Sequence, residues 1–251
     1  VTLFYRHSTG LTLTEDGHRF RLHADNILSA VTTTVSSMRS QTTDIKGCVK
    51  LGLSHMFSGY YIFPILARFK RQYPMIDVQL FEDDRQSIES KIKSGEVEIA
   101  LLLTSNLSDR KSIDSITFVE SPRWVWLPNS HPFLERENIS FADLAAEPYV
   151  LLRMDEADEA ARRYWQKAGV DPNVVFHTGS LEAVRTMVAN GFAVTILSDM
   201  VYRPWSLDGG RIETLDIDGD VPSMNMGLAW RRGCRLHQAA RTLKKYLVAS
   251  A

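Results

Sequence analysis

Four short polar segments of this 251-residue chain have residue types and spacing suited to holding a small anion. Ser54-His55-Met56-Phe57-Ser58-Gly59 follows the alternating apolar residues Val49, Leu51 and Leu53, so it leaves a strand and opens a helix. It supplies hydroxyls, an imidazole and the unpaired N–H groups of a helix start, where negative charge is favoured. Arg153 follows the strand-like Tyr149–Leu152 and adds a planar fork of donors that matches a carboxylate. Thr178-Gly179-Ser180 follows the strand-like Asn173–His177 and is again a small polar helix start. Thr104-Ser105, after the apolar run Ile99–Leu103, is the expected place for the chain to cross from one folded unit to the next.

Ser54, His55, Phe57, Ser58, Arg153, Thr178, Gly179 and Ser180 are therefore the candidate residues for a small anionic or carboxylate ligand. Each hydrogen bond to a charged ligand group contributes about 1.5–3 kcal/mol. Plainer roles exist for each: Ser and Thr cap helices, Arg153 suits a surface ion pair, and Phe57 and Tyr60 suit a core. The same chemistry at corresponding places in two units favours a site.

Catalytic readings fare worse. The seven histidines (His7, His18, His23, His55, His131, His177 and His237) have no metal-ligand spacing, and HEXXH, Walker and GXSXG motifs are absent. Asp155-Glu156 and Asp158-Glu159 stand at a helix start, where acids are expected for dipole reasons. Ser54 and His55 are neighbours on an extended chain and point to opposite faces. The expectation is a protein that is not an enzyme, with no catalytic residue, no metal and no cofactor. Cys48 and Cys234 are too few for a disulfide scaffold and read as ordinary buried thiols in a reducing compartment.

The composition is 44% hydrophobic and 24% charged, that of a soluble globular protein with one large core or two small ones. Lys and Arg number 29 against 30 Asp and Glu, for a net charge of −1. That excludes a chain that coats nucleic acid by bulk positive charge, while leaving a short basic contact open. No apolar run approaches the roughly 20 residues of a bilayer span, and the start lacks the order of a signal peptide. A cytoplasmic protein without a membrane partner is expected.

Residues 47–103 read as strand, helix, strand, helix, strand, with one helix from about Tyr60 stopping before Pro74 and another ending at Gly95. Residues 149–197 repeat the order, with a helix from Glu156 to Ala168 anchored by Ala160, Tyr164 and Trp165. Such βαβαβ units need parallel sheets with right-handed crossovers. Ile116–Phe118 and Trp124–Leu127 lie between them, and a helix from about His237 to Val248 closes the chain. Ahead of them, residues 1–14 are β-like, and Thr14 offers an N-cap. Phe20, Ala24, Ile27, Val31, Val35 and Met38 then form a helical stripe that is expected to pair between chains.

The motifs Leu3-Phe-Tyr-Arg6 and Gly10-Leu-Thr-Leu-Thr-Glu-Asp-Gly17 resemble the end of the DNA-binding domain in LysR-type transcriptional regulators. Pro64 with Phe69 and Tyr73-Pro74, Gly95–Leu102, Pro128 through His131-Pro132, Ile139–Leu144 and Val188–Leu197 extend that resemblance along nearly the whole chain. It implies an α/β protein. Residues 1–14 would be the wing remnant of a winged helix-turn-helix, with Arg6 approaching DNA, and 15–46 a linker helix that dimerises. A two-lobed effector domain of the type 2 periplasmic-binding-protein fold would follow, with lobe I at 47–119 and 222–251 and lobe II at 120–221.

The resemblance also implies a bacterial homodimer or homotetramer that binds promoter DNA and answers to a small effector between its lobes. The recognition helix of the family precedes the LF-x-R motif, so the chain as given is not expected to bind an operator specifically. A transporter's solute-binding protein shares the two-lobe fold and is the alternative, but it has no use for a long exposed helix at its start.

Overall fold

A computed structural model describes residues 1–7, 10–14, 16, 17, 20, 21, 23, 24, 27, 28, 31, 45–136 and 138–250. At the start, β1 (Phe4–His7) and β2 (Gly10–Leu13) form an antiparallel hairpin. Thr14 is the expected cap: its hydroxyl accepts from the Gly17 N–H at 2.9 Å. A Cβ at Gly17 would stand 2.0 Å from the Leu3 carbonyl oxygen, so only glycine lets this helix start lie on the hairpin. Most of the expected linker helix lies outside the described residues. Those described between 16 and 31 are helical, and Phe20, Ile27 and Val31 of the stripe are exposed.

Lobe I begins with β3 (Gly47–Leu53), α1 (His55–Tyr60), α2 (Ile62–Gln72), β4 (Ile76–Glu82), α3 (Arg85–Ser94) and β5 (Ile99–Leu103). Helical structure starts five residues before Tyr60 and is broken at Tyr61. Pro64 explains the break, because a continuous helix would need its missing N–H to reach the Tyr60 carbonyl. β3 runs parallel to both β4 and β5.

The chain does not leave lobe I after Leu103 as expected. Thr104–Asn106 is a single 3₁₀ turn, and the long β6 (Ile113–Ser121) stays in the same sheet. The Thr104 hydroxyl, 2.6 Å from that of Thr117 and 3.2 Å from the Asn225 carbonyl, keeps the turn against that sheet. The crossing comes at Pro122, where the Ser121 and Ser198 hydroxyls meet at 2.6 Å in a buried setting.

Lobe II consists of β7 (Arg123–Pro128), β8 (Ile139–Ser140), α4 (Phe141–Ala145), β9 (Pro148–Leu152), α5 (Ala157–Ala168), β10 (Asn173–Thr178), α6 (Leu181–Ala189), β11 (Thr195–Ser198), β12 (Ile212–Leu215) and β13 (Ile217–Asp218). β14 (Met224–Arg231) and α7 (Gln238–Ala249) then return to lobe I. The first sheet has the order β4-β3-β5-β14-β6. The second runs β10-β9, then through a parallel bridge of Tyr149 with Val194 to β11-β7-β12. Each lobe thus places one antiparallel strand beside three parallel ones. In each case that strand, β14 or β7, follows directly from the other lobe.

Layers of apolar side chains cover both sheets. One buried cluster runs through the lobe junction, joining Phe57, Leu103 and Met226 of lobe I to Trp126, Leu181 and Leu197 of lobe II. The outer faces carry separate clusters, around Ile88 and Ile92 in lobe I and around Tyr164 and Trp165 in lobe II. Ala161, rather than the expected Ala160, completes the buried face of α5. Cys48 and Cys234 are free and exposed, not buried: Cys48 lies near the start of β3, before its residues turn inward.

Candidate functional site

The strand ends of the two lobes meet face to face. Leu53 ends β3 and hands over to Ser54, which is only 2% exposed. Opposite it, the segment after β9 carries Asp155 toward lobe I. One carboxylate oxygen of Asp155 accepts from the Ser54 hydroxyl at 3.2 Å and from the Met56 backbone N–H at 2.7 Å. The other oxygen is buried and has no hydrogen-bond partner among the described residues. Burial pushes the Asp155 carboxyl above its ordinary value, and the bonds to Met56 and Ser54 offset this only in part.

Beside Asp155, the Arg85 Nε donates to both carboxylate oxygens of Glu156, at 2.7 and 2.9 Å. Arg85 also reaches Glu89 at 2.6 Å, and Glu89 accepts from the Ser108 hydroxyl at 2.6 Å and its N–H at 3.1 Å. Burial raises the Glu89 carboxyl, but the Ser108 and Arg85 donors outweigh it and hold the group below its ordinary value. At the other side of the junction the Tyr60 hydroxyl of lobe I donates to Glu182 of lobe II at 3.0 Å. Beside Asp155 the space between the lobes narrows to a cavity of about 20 Å³ lined by Leu103, Asn106, Arg123, Asp155, Ser198 and Met224, among others, which admits a water molecule and nothing larger. A second interlobe hollow of about 300 Å³ adjoins it, between Arg85, Ser105 and Ser108 of lobe I and Glu156, Glu159 and Arg163 of lobe II. Burial lowers the Arg123 pKa, and its guanidinium donates to the Pro222 carbonyl.

The structure brings only part of the sequence-predicted set to this face. Ser54 is there. Phe57 is fully buried in the junction core, packed edge-on to Tyr61. His55 turns to the outer end of β4 and sits 2.9 Å from Glu82. Ser58 donates to the His55 carbonyl and borders a neighbouring pocket of about 340 Å³ with Tyr60, Glu182, Arg185 and Arg203. Thr178 accepts from the Ser180 N–H, and Ser180 caps α6 by accepting from Ala183 N–H. Gly179 borders open space.

Arg153 and His177 line a different hollow, a groove of about 660 Å³ on lobe II between α5 and the β9–β10 edge. Strand alternation accounts for this: Val150 and Leu152 join the junction core, while Leu151 lines the outer groove, and Arg153 shares the parity of Leu151. Asp155, Glu156, Arg85, Arg123 and Asn106 were not singled out for the site by sequence. The signal present was the Asp155-Glu156 pair, which helix-dipole chemistry explained too readily.

The exposed His55–Glu82 pair gives a pH signature. The hydrogen bond to Glu82 raises the His55 pKa above 6.5, while Ser58 and His55 lower Glu82 below 4.5. A raised imidazole stabilises the fold below its unfolded value and loses that contribution as pH rises through the folded one. The lowered carboxylate does so above its unfolded value, losing it as pH falls. The pair is therefore complete between about pH 4.5 and 6.5. His55→Gln should cost under about 1 kcal/mol at pH 6, as expected for a surface pair, and nothing at pH 9. Urea melts at the two pH values check this; equal losses at both would exclude the pair as the cause.

Two α/β lobes, each receiving a strand from the other and closing on a polar face at their strand ends, define a two-lobed ligand-binding domain of the periplasmic-binding-protein kind. Residues 43–251 match the family described as the LysR substrate binding domain, and the chain belongs to it. A curated relative is an uncharacterized HTH-type transcriptional regulator, YybE of Bacillus subtilis, 25% identical over 249 residues that cover 99% of this chain and 83% of that protein. The crystal structure of HinK, a LysR family transcriptional regulator from Pseudomonas aeruginosa, superposes with a TM-score of 0.74 at 23% identity, covering 95% of this chain and 81% of that one. The Synechocystis CcmR regulatory domain in complex with 2-PG has a TM-score of 0.71 at 21% identity, covering 81% and 97% respectively. The chain is thus a LysR-type transcriptional regulator with an effector-binding domain.

Proposed function

We propose that the effector is a small carboxylate or related anion, bound between the lobes, and that it alters the lobe angle and with it the geometry of a homodimer or homotetramer. The observation that carries this reading is the carboxylate of Asp155, already seated on Ser54 and Met56 at the lobe junction. Arg123 beside it supplies a half-buried cation. The exposed Phe20, Ile27 and Val31 support pairing of the linker helix with a second copy. Promoter DNA is the macromolecular partner, approached by the exposed Arg6 on the wing, and the site of action is the cytoplasm. The CcmR regulatory domain in complex with 2-PG supports a small-molecule effector.

A thermal-shift screen of small carboxylates on this chain, followed by calorimetry of the best ligand, tests the reading. Arg123→Ala should weaken the dissociation constant about 10- to 100-fold, the worth of a charged hydrogen bond. Arg153→Ala should leave it within about twofold. The reverse pattern would place the ligand in the outer groove of lobe II and overturn the interlobe assignment.

A further inference from the structure

The lobe junction is shut by groups of the chain itself. Asp155 reaches from lobe II to two donors of lobe I, the Ser54 hydroxyl and the Met56 N–H. Glu156, the next residue, reaches to Arg85 of lobe I, which Glu89 steadies from behind. Asn106 of lobe I donates at 3.5 Å to the Asp155 carbonyl. Two consecutive residues thus make four contacts across the junction.

They do so from an unusual backbone. Asp155 has φ 49° and Glu156 φ 64°, and they are the only non-glycine residues at positive φ among those described. Aspartate tolerates the left-handed region; glutamate gains nothing there. Side chains persist in such a conformation when surrounding contacts over-determine it, and strain of this kind collects at switch segments. The second Asp155 oxygen, buried without a partner among the described residues, adds to the disadvantage of the closed form. Closure therefore combines specific bonds with stored strain and one unsatisfied carboxylate oxygen, the balance expected of a contact made to be broken.

We infer that Asp155 and Glu156 form an interlobe latch, in which the Asp155 carboxylate takes the place of a ligand's and holds the effector domain closed until a ligand displaces it. The inference rests on the interlobe reading of the effector site for the ligand's part; the latch itself is a property of the ligand-free chain. It makes Asp155 a determinant of which anions act. A ligand must offer Ser54 and Met56 an acceptor at least as good as an aspartate carboxylate delivered from within the same chain. To reach them it must also displace Asp155 from the narrow space that its carboxylate fills.

Hydrogen exchange on the ligand-free chain tests this without knowing the effector. The reporter is the Met56 amide, which donates to Asp155, and the reference is the Leu228 amide of β14, which is flanked by β5 and β6 in the lobe I sheet. In Asp155→Ala, Met56 exchange should speed up about 10-fold or more relative to Leu228, equal to about 1.4 kcal/mol, with the 153–156 segment speeding up alongside. Glu156→Gln should give a smaller change of the same kind. Asp155→Asn, which keeps an acceptor and the size, should fall between wild type and Asp155→Ala and covers the case of poor folding. An unchanged Met56 rate in both Asp155 variants overturns the latch, as does acceleration of Leu228 in step with Met56. Neither result bears on the effector site, which stands or falls on the Arg123 and Arg153 comparison.

Discussion

Arg185→Ala should lower unfolding stability by about 2–4 kcal/mol, or about 5–12 °C in Tm for a chain of this size. Arg185 projects from α6 into the lobe junction and is only 2% exposed. Its guanidinium pairs with Glu182 and donates to the Val201 carbonyl. It also lies 5.1 Å from the Tyr60 ring and 5.8 Å from the Trp126 ring. Losing hydrogen bonds to a charged group costs about 1.5–3 kcal/mol, and losing a desolvated cation–π contact costs up to about 2 kcal/mol. Removing a buried cation refunds desolvation, which keeps the total below the sum.

Arg185→Met separates the two effects, since methionine fills the stem and needs no partner; its cost should be near half that of alanine. Because Glu182 also receives the Tyr60 hydroxyl, a Tyr60→Phe background should show coupling with Arg185→Ala, whereas residues without a shared partner add independently. Denaturant melts decide the matter, and a loss under about 1 kcal/mol for alanine would mean that Arg185 is a bystander.

The contrast between Arg185 and Arg153 shows what in this fold was legible beforehand. Both βαβαβ units, the strand ends that face each other and Ser54 at one of them follow from hydrophobic period and turn residues. Those signals are local, and burial on one face or two imposes them directly. The break between α1 and α2 went unread, although its cause is local: the missing N–H of Pro64 acts within one helical turn. Arg153 was legible in part: its place at a strand end was clear, but alternation from Leu151 and Leu152 decides which face it serves. Arg123 and Arg185 were not legible. Arg123 meets Pro222, and Arg185 meets the Tyr60 ring of the other lobe, across long stretches of sequence, although Arg185 also pairs locally with Glu182.

Asp155 and Glu156 went unread for a different reason. Acids at a helix start are ordinary, and nothing in their identity announces a left-handed backbone as a glycine would. Their φ values are imposed by the contacts they make in the other lobe. Local signals therefore place the walls of the site, and long-range contacts decide what stands between them.

Gly227→Ala tests the other support of the junction, and its cost should be about 3 kcal/mol or more. Gly227 lies in β14, paired to Leu102 of β5 on one side and Thr117 of β6 on the other. The ladder to β6 has its irregularity between Met226 and Gly227. A Cβ here would stand 2.1 Å from the Ile116 carbonyl oxygen and 2.6 Å from a Thr104 methyl. The oxygen belongs to the backbone of β6, the edge strand of the sheet, so it gives way only if β6 parts from β14. Thr104 is held by Thr117 and the Asn225 carbonyl, and its turn carries Asn106 to the interlobe cavity. Relief through either neighbour would therefore reach the site as well as the sheet.

Gly59→Ala is the matched control. A Cβ there meets nothing within 4 Å, and α1 would gain up to about 1 kcal/mol from the better helix former. A destabilised, poorly soluble Gly227→Ala beside an unchanged or firmer Gly59→Ala is the expected pair of results in thermal melts. Equal stability of the two variants would mean that β6 can bulge away from β14 freely, and the junction would then owe its position to the buried core around Trp126 alone.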